Sequence, residues 1–320
     1  MPHRPPGLLL GLAAVPLLGL AALLASLAGL LSDPRISGTP QPAYTPEPAV
    51  IPAGADEAAT LTAAAWAVVA GGADWNSEPE RWTTLADTLV VHWRVLTGPD
   101  PLNRVEGDGL PGEPEDTPSA EDALRQADAA LAALSDTEWA RAAAANGIEA
   151  AWWAGLAGAA DQARQGLTGP YAAPKPLNPL ATLALLPENE AFANLAAADH
   201  AAVFTAATVL GWLPPGHWLK GTAQELLERF RRDRDNLHDV AEACGWDFPA
   251  AAPAYDVPPL SDDASAQAAL GQAAAGVAAG AVGWLAAASD EQRGQAVAEA
   301  RQTAAAGQGY ASALWFGWPD

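Results

Sequence analysis

The chain has 320 residues, which is enough for two ordinary domains that each bury a core. Its formal charge of −22 excludes nucleic acid as a partner, because phosphate recognition requires clusters of Lys and Arg. The single cysteine, Cys244, excludes an internal disulfide and a cysteine-based zinc site. Alanine and leucine dominate the apolar residues, and this composition predicts helices rather than strands.

The N-terminal segment, residues 1–31, contains an uncharged apolar run over residues 7–31 that follows Arg4. A helix of this length covers about 37 Å and can cross a bilayer. We therefore expect a transmembrane anchor, or alternatively a cleavable signal peptide with Ser26 and Ala28 as the small residues before the cleavage site. The anchor places the protein in the cell membrane and the signal peptide makes it secreted. In both cases the bulk of the chain is extracytoplasmic.

A proline-rich stalk over residues 32–55 is predicted next, because prolines favour an extended, semi-rigid chain. Residues 56–167 then predict an N-terminal helical bundle with a Pro/Gly-rich loop between its second and third helices. Apolar residues at helical spacing predict these four helices over residues 56–70, 79–96, 119–134 and 136–167.

The second half repeats this order after a linker over residues 168–188. Residues 189–320 predict a C-terminal bundle whose helices cover residues 189–211, 217–244, 262–288 and 289–315. A long connection between the second and third helix is typical of ferritin-like four-helix folds. The sequence thus predicts an all-α protein of two tandem ferritin-like bundles behind the N-terminal helix.

Three segments of the second half carry a family resemblance: Ala198–Phe204, Phe230–Leu237 and Ala254–Pro258. With the two alanine-rich helices that follow, they resemble an uncharacterised bacterial family of ferritin-like domains. Members of that family are typically exported proteins of high-GC bacteria, and the family has no established activity. The resemblance covers about residues 185–316 and implies a ferritin-like fold for that part of the chain.

The polar positions of that family are only partly kept. His200, Arg234 and Asp235 match the family pattern. Asp199 stands where the family has glutamate, while Phe230 and Asp233 stand where it has histidine and the first arginine of a pair; Gln272 stands in place of an acid on the third helix. The resemblance therefore implies the fold and leaves the family's polar site incomplete.

A di-iron or di-manganese bundle needs carboxylates and Glu-x-x-His pairs on facing helices. The C-terminal half offers only Asp235-x-x-His238 and Glu299-x-x-Gln302, and the apolar part of its third helix has no acid. We therefore expect no metal and no other cofactor. The alternative is a metal-dependent redox or metal-storage protein that uses this degenerate carboxylate/His set.

Asp199 lies on the apolar stripe of its helix, and Arg234 lies on the seam of the next helix between Phe230 and Leu237. Because a buried unpaired charge is costly, we expect Asp199 to be buried and paired with Arg234 or Arg231. The candidate polar binding cluster comprises Asp199, His200, Arg231, Arg234, Asp235 and His238.

The 13 tryptophans are mainly expected to fill the core between alanine-rich helices, with Trp246, Trp315 and Trp318 as an alternative recognition surface. Motifs of phosphate loops and of serine or zinc hydrolases are absent from the sequence. We expect a membrane-tethered extracytoplasmic protein with a binding or scaffold role in the cell envelope rather than an enzyme. Its partner would be an envelope protein or a small ligand.

Overall fold

A computed structural model describes residues 55–74, 78–97, 119–169, 176–177, 186–306 and 315–316. These residues all belong to one compact unit, Pro48–Asp320. The predicted anchor or signal segment lies outside the described residues, and so does the predicted stalk up to residue 54.

Eight helices make up most of the described part of the chain. They are α1 (Ala55–Asp74), α2 (Pro79–Thr97), α3 (Ala120–Ala144), α4 (Gly147–Gly166), α5 (Glu188–Trp212), α6 (Leu219–Cys244), α7 (Asp263–Ala287) and α8 (Arg293–Ala306). Two residue pairs, β1 (Pro176–Leu177) and β2 (Trp315–Phe316), align in parallel. The predicted all-α class is confirmed.

Side-chain caps and a glycine set several of the helix ends. The Ser119 side chain accepts a hydrogen bond from the Asp122 backbone N–H, and Asp262 forms a capping box with Ser265 at the start of α7. Gly245 ends α6 with φ 67°, a left-handed conformation that glycine adopts without steric cost. The local sequence therefore determines where α3 and α7 begin and where α6 stops.

The predicted boundary between the third and fourth helices is wrong. The chain does not break at Ser135; α3 continues to Ala144, and the reversal occurs at Ala145 and Asn146. Ser135 is buried and its hydroxyl donates a 2.6 Å hydrogen bond to Asp161, so it serves packing rather than capping. The turn falls where Gly147 takes φ 59°, a conformation that few other residues accept.

The helices pack in two sets that share one core. In the first set α1 contacts α2 and α3, and α4 contacts α2 and α3; in the second, α5 contacts α6 and α7, and α7 contacts α8. Helix α4 also packs against α7 and α8, and every residue from Ala150 to Ala157 is buried. Because this segment of α4 is apolar on all sides, it joins the two sets. This corrects the expectation of two separately packed cores, since the buried apolar side chains of the described residues form one cluster.

Two of the described helices, α5 and α7, are long and apolar enough to cross a membrane by length and composition. Core helices of water-soluble proteins meet the same criterion. Here α5 and α7 pack against each other and contribute to the common core.

Candidate functional site

Asp199 lies on the buried side of α5, as its position on the apolar stripe predicts. Its exposed fraction is 0%, and neither of its carboxylate oxygens has a hydrogen-bond partner among the described residues. Burial raises the pKa of Asp199 from 3.8 to about 8, and nearby Glu299 and Asp233 contribute to this rise. At neutral pH this carboxyl is therefore mainly protonated.

The predicted pairing of Asp199 with Arg234 or Arg231 is wrong. Arg234 instead binds its neighbour Asp235 at 2.6 Å, and Arg231 is exposed. The reason is the register of α6, whose buried face runs through Phe230, Asp233 and Leu237. Counted from Phe230, both Asp233 at i+3 and Arg234 at i+4 are compatible with a buried helical face. The packed helix places Asp233 inward.

Asp233 is the second buried acid, with an exposed fraction of 1%. Gln302 of α8 donates a 2.6 Å hydrogen bond from Nε2 to Asp233 Oδ1, and Arg229 Nε lies 3.5 Å from Oδ2. Burial raises the pKa of Asp233, while Arg229 and the Gln302 hydrogen bond oppose that rise. Unlike Asp199, Asp233 thus has direct polar partners in the core.

Glu299 supplies a third acid from α8 and is 9% exposed. Its Oε1 atom has no hydrogen-bond partner in the described part of the chain. Burial, followed by the Asp233 charge, raises the pKa of Glu299 from 4.5 to about 7. We refer to Asp199, Asp233 and Glu299 as the carboxylate cluster; each comes from a different helix, and the arginine bonded to it is Arg229.

Helix α7 adds no acid to the carboxylate cluster. After Asp263 its sequence has no titratable residue, and Gln272, which stands in place of a family acid, is exposed. The described residues contain no group of three or more His, Cys, Asp or Glu that could hold a metal ion. The carboxylate cluster of the described residues is thus not arranged as a set of metal ligands. Its raised pKa values mean that it can hold protons near neutral pH.

The other predicted site residues lie at the surface of α5 and α6. His200 is half-buried, its Nε2 lies 3.0 Å from the Pro249 carbonyl oxygen, and its ring packs on Phe248. His238 and Asp235 are exposed, although the His238 ring also contacts Phe248, 5.1 Å away between ring centres. The structure thus brings His200 and His238 together on the connection that follows α6, whereas Asp199 lies inside.

The first set of helices has its own buried polar pair. His92 of α2 and Glu138 of α3 are both 0% exposed, and His92 Nε2 lies 2.8 Å from Glu138 Oε1. Burial raises the pKa of Glu138, and His92 opposes that rise. The acidic partner Glu138 was missed in the sequence because the predicted helix break fell at Ser135.

Further polar contacts connect α1, α3 and α4. Arg141 of α3 forms an ion pair with Glu57 of α1, and its guanidinium also lies 4.6 Å from the Trp153 ring of α4. Asp161 of α4 accepts hydrogen bonds from Ser135 and from the Trp139 indole N–H, the latter at 3.0 Å. These polar residues act as internal contacts between helices.

Two tryptophans outside the expected recognition surface are exposed. Trp246 is half-buried and packs 5.0 Å from Phe192, while the side chains of Trp315 and Trp318 lie outside the description. Trp218 and Trp212, on either side of the turn between α5 and α6, are 62% and 39% exposed. Nothing in the helical spacing of the sequence distinguishes them from core tryptophans.

Trp218 is held in place by the start of α7. Its indole N–H donates a 3.0 Å hydrogen bond to Asp263 Oδ2, and His217 Nε2 lies 3.1 Å from Asp263 Oδ1. The His217 and Trp218 rings lie side by side, 5.8 Å apart. An aromatic face that is exposed and held by a hydrogen bond is suited to contact a ligand or partner with little loss of entropy.

Comparison with protein families gives one match. Residues 191–317 match the model of a domain of unknown function, DUF4439. The matched segment contains all three acids of the carboxylate cluster and nearly coincides with the part that carries the family resemblance. Neither the curated proteins nor the solved structures gave a match.

Proposed function

We propose that this protein is a membrane-tethered, extracytoplasmic protein whose helical body has a binding or scaffold role in the cell envelope. The uncharged run over residues 7–31 supports the tether. The proposed body is ferritin-like, which is supported by the α5–α6 and α7–α8 hairpins and by the long connection between α6 and α7.

The binding role is supported above all by Trp218. A side chain of this size that is 62% exposed forgoes a large hydrophobic gain, and its hydrogen bond to Asp263 keeps it ordered. Trp212 and the exposed Pro214 and Pro215 extend the surface beside it. We refer to Trp212 and Trp218 as the aromatic surface.

The binding role is tested by sedimentation of the helical body with isolated envelope fractions. Residues 48–320, which form a compact unit of their own, should sediment with membranes or cell-wall material. Trp218→Ala should reduce the bound fraction several-fold, because aromatic anchors carry much of the energy of an interface. Phe204→Ala is the matched control, since Phe204 is also exposed but lies within α5, outside the aromatic surface. Equal binding by both variants and the unchanged body would contradict this role for the aromatic surface.

The tether is tested by fractionation of the full-length protein. It should remain with the membrane after a carbonate wash, and removal of residues 1–31 should leave a soluble product in the cytoplasm. Mature protein free in the medium, with an N-terminus near Gly29, would instead show cleavage of a signal peptide.

The metal-dependent alternative would require a ligand set that the described residues do not bring together. Elemental analysis of protein purified from cells grown with added iron or manganese distinguishes the two functions. A stoichiometric amount of either metal would contradict the scaffold proposal.

A further inference from the structure

Helix α8 is the shortest of the described helices, with 14 residues. It packs on α7, α4 and α3, with Ala296, Ala300 and Thr303 buried, and its second half adds polar contacts with α6. Gln302 donates to Asp233, and Arg229 donates to the Gln302 backbone carbonyl. The place where α8 meets α6 therefore lies directly at the carboxylate cluster.

The charges that face this contact are unbalanced. Asp199 comes from α5 and Glu299 from α8, while α6 presents Asp233. The arginines of α6 oppose these charges: Arg234 and Arg229 act on Asp199, and Arg229 and Arg232 act on Asp233. Helix α7 contributes no titratable group beyond Asp263. The cluster therefore has three acids and one directly bonded arginine, so full ionisation would leave an excess of buried negative charge.

The helices on the other side of α8 do not remove that excess. On α3, Asp136 forms an exposed ion pair with Arg301 of α8. On α4, Asp161 accepts its hydrogen bonds from α3. The charged groups that act on Glu299 are Asp233 and Arg229, both on α6.

We propose that the carboxylate cluster is a proton-controlled contact that keeps the second half of α8 docked on α6 while it holds protons and lets that half of α8 open when all three carboxyls are ionised. No metal or partner is needed for this behaviour, because the opposing charges are all on the chain. Opening exposes Glu299 and then Asp199 to water, where ionised carboxylates are stable.

The direction in which pH shifts the balance between the docked and open forms follows from the pKa values of Asp199 and Glu299. In the open form both acids titrate at their ordinary values, 3.8 for Asp199 and 4.5 for Glu299, whereas in the docked form their pKa values rise to about 8 and about 7. The docked form therefore binds more protons, and it is favoured at low pH. Opening increases as pH rises from about 4 to about 8, by up to about tenfold per pH unit for each proton released.

Hydrogen–deuterium exchange of the full-length protein in detergent tests the proposal, with protection factors corrected for the intrinsic pH dependence of amide exchange. Between pH 5 and pH 8, protection of α8 should fall by at least about tenfold, while protection of α3 should change much less. In the double variant Asp199→Asn, Glu299→Gln the fall should disappear, because the neutral side chains imitate the protonated acids. Glu225→Gln, an exposed acid on α6, is the matched control and should behave like the unchanged protein.

Three results would overturn the proposal. The first is α8 protection that is constant from pH 5 to pH 8, and the second is an unchanged fall in the double variant. The third is an equal loss of protection in α3 and α8, which would indicate unfolding of the whole unit. The single variant Glu299→Gln, which alters the less buried acid, should lessen the fall and provides the same test if the double variant does not fold.

Discussion

Gly280 of α7 faces Leu195 of α5 so closely that a Cβ atom on Gly280 would lie 2.9 Å from the Leu195 Cα. Helices approach this closely only where one of them has no side chain at the crossing. Leu195 precedes Asp199 by one helical turn, so this contact also helps to fix the position of the cluster's most buried acid.

Gly280→Ala should therefore destabilise the helical body. The added methyl group meets backbone as well as the Leu195 side chain, and overpacking of this kind costs about 1–3 kcal/mol. Denaturant unfolding of residues 48–320 gives the free energy of unfolding. Gly283→Ala, in the same helix but with no atom within 4 Å of the added Cβ, is the control and should be neutral or stabilise by up to about 1 kcal/mol. Similar losses in both variants would show that close packing at Gly280 is not the cause.

The buried His92–Glu138 pair should be important for stability. Glu138→Ala leaves the His92 ring without its carboxylate in an interior where both side chains are 0% exposed. Removal of one partner of such a pair costs about 3–5 kcal/mol. Replacement of both residues by leucine should recover much of that loss, and calorimetric or denaturant unfolding measures each variant.

An exposed ion pair is the control for that prediction. Arg164 and Asp128 lie 2.7 Å apart but remain about half exposed, and Arg164→Ala should cost less than about 1 kcal/mol. If Glu138→Ala costs no more than Arg164→Ala, the buried pair between α2 and α3 does not contribute to stability as proposed.

The stability of the helical body should fall as pH rises. Because the folded-state pKa values of Asp199 and Glu299 lie above their ordinary values, the stabilisation is complete below about pH 4 and is lost towards about pH 8. The loss should amount to several kcal/mol, because each pKa unit of difference between the folded and unfolded states corresponds to about 1.4 kcal/mol. Asp199→Asn should flatten this dependence and raise the stability at pH 8, whereas Asp239→Asn, a change of an exposed acid, should leave the profile unchanged. A wild-type profile that rises over this range would contradict the assignment of Asp199 as a protonated acid.

Much of the helical architecture could be predicted from the sequence. The apolar stripe around Asp199 correctly placed that side chain in the interior, and six of the eight described helices start within two residues of their predicted positions. The register of α6 was not determined, because Asp233 and Arg234 both fit the spacing between Phe230 and Leu237. Only the packed helix shows which of the two faces inward.

The contacts between the two sets of helices could not be predicted in the same way. The Ala150–Ala157 segment of α4 has no polar side, apart from its two tryptophans' indole N–H groups, and a sequence of that kind does not identify which helices will cover it. Glu138 was missed for a related reason, since a helix end predicted at Ser135 placed it in the wrong helix. Both errors arise because alanine-rich segments carry weak periodicity.

The most direct test of the account is the protonation state of Asp199 and Glu299 themselves. Carbon-13 NMR of their side-chain carboxyls, assigned by the Asp199→Asn and Glu299→Gln variants, gives each titration curve. We predict titration midpoints near pH 8 for Asp199 and near pH 7 for Glu299 in the folded protein. Midpoints below about pH 5 for both groups would mean that the buried carboxylates are ionised at neutral pH, and would contradict the proton-holding carboxylate cluster.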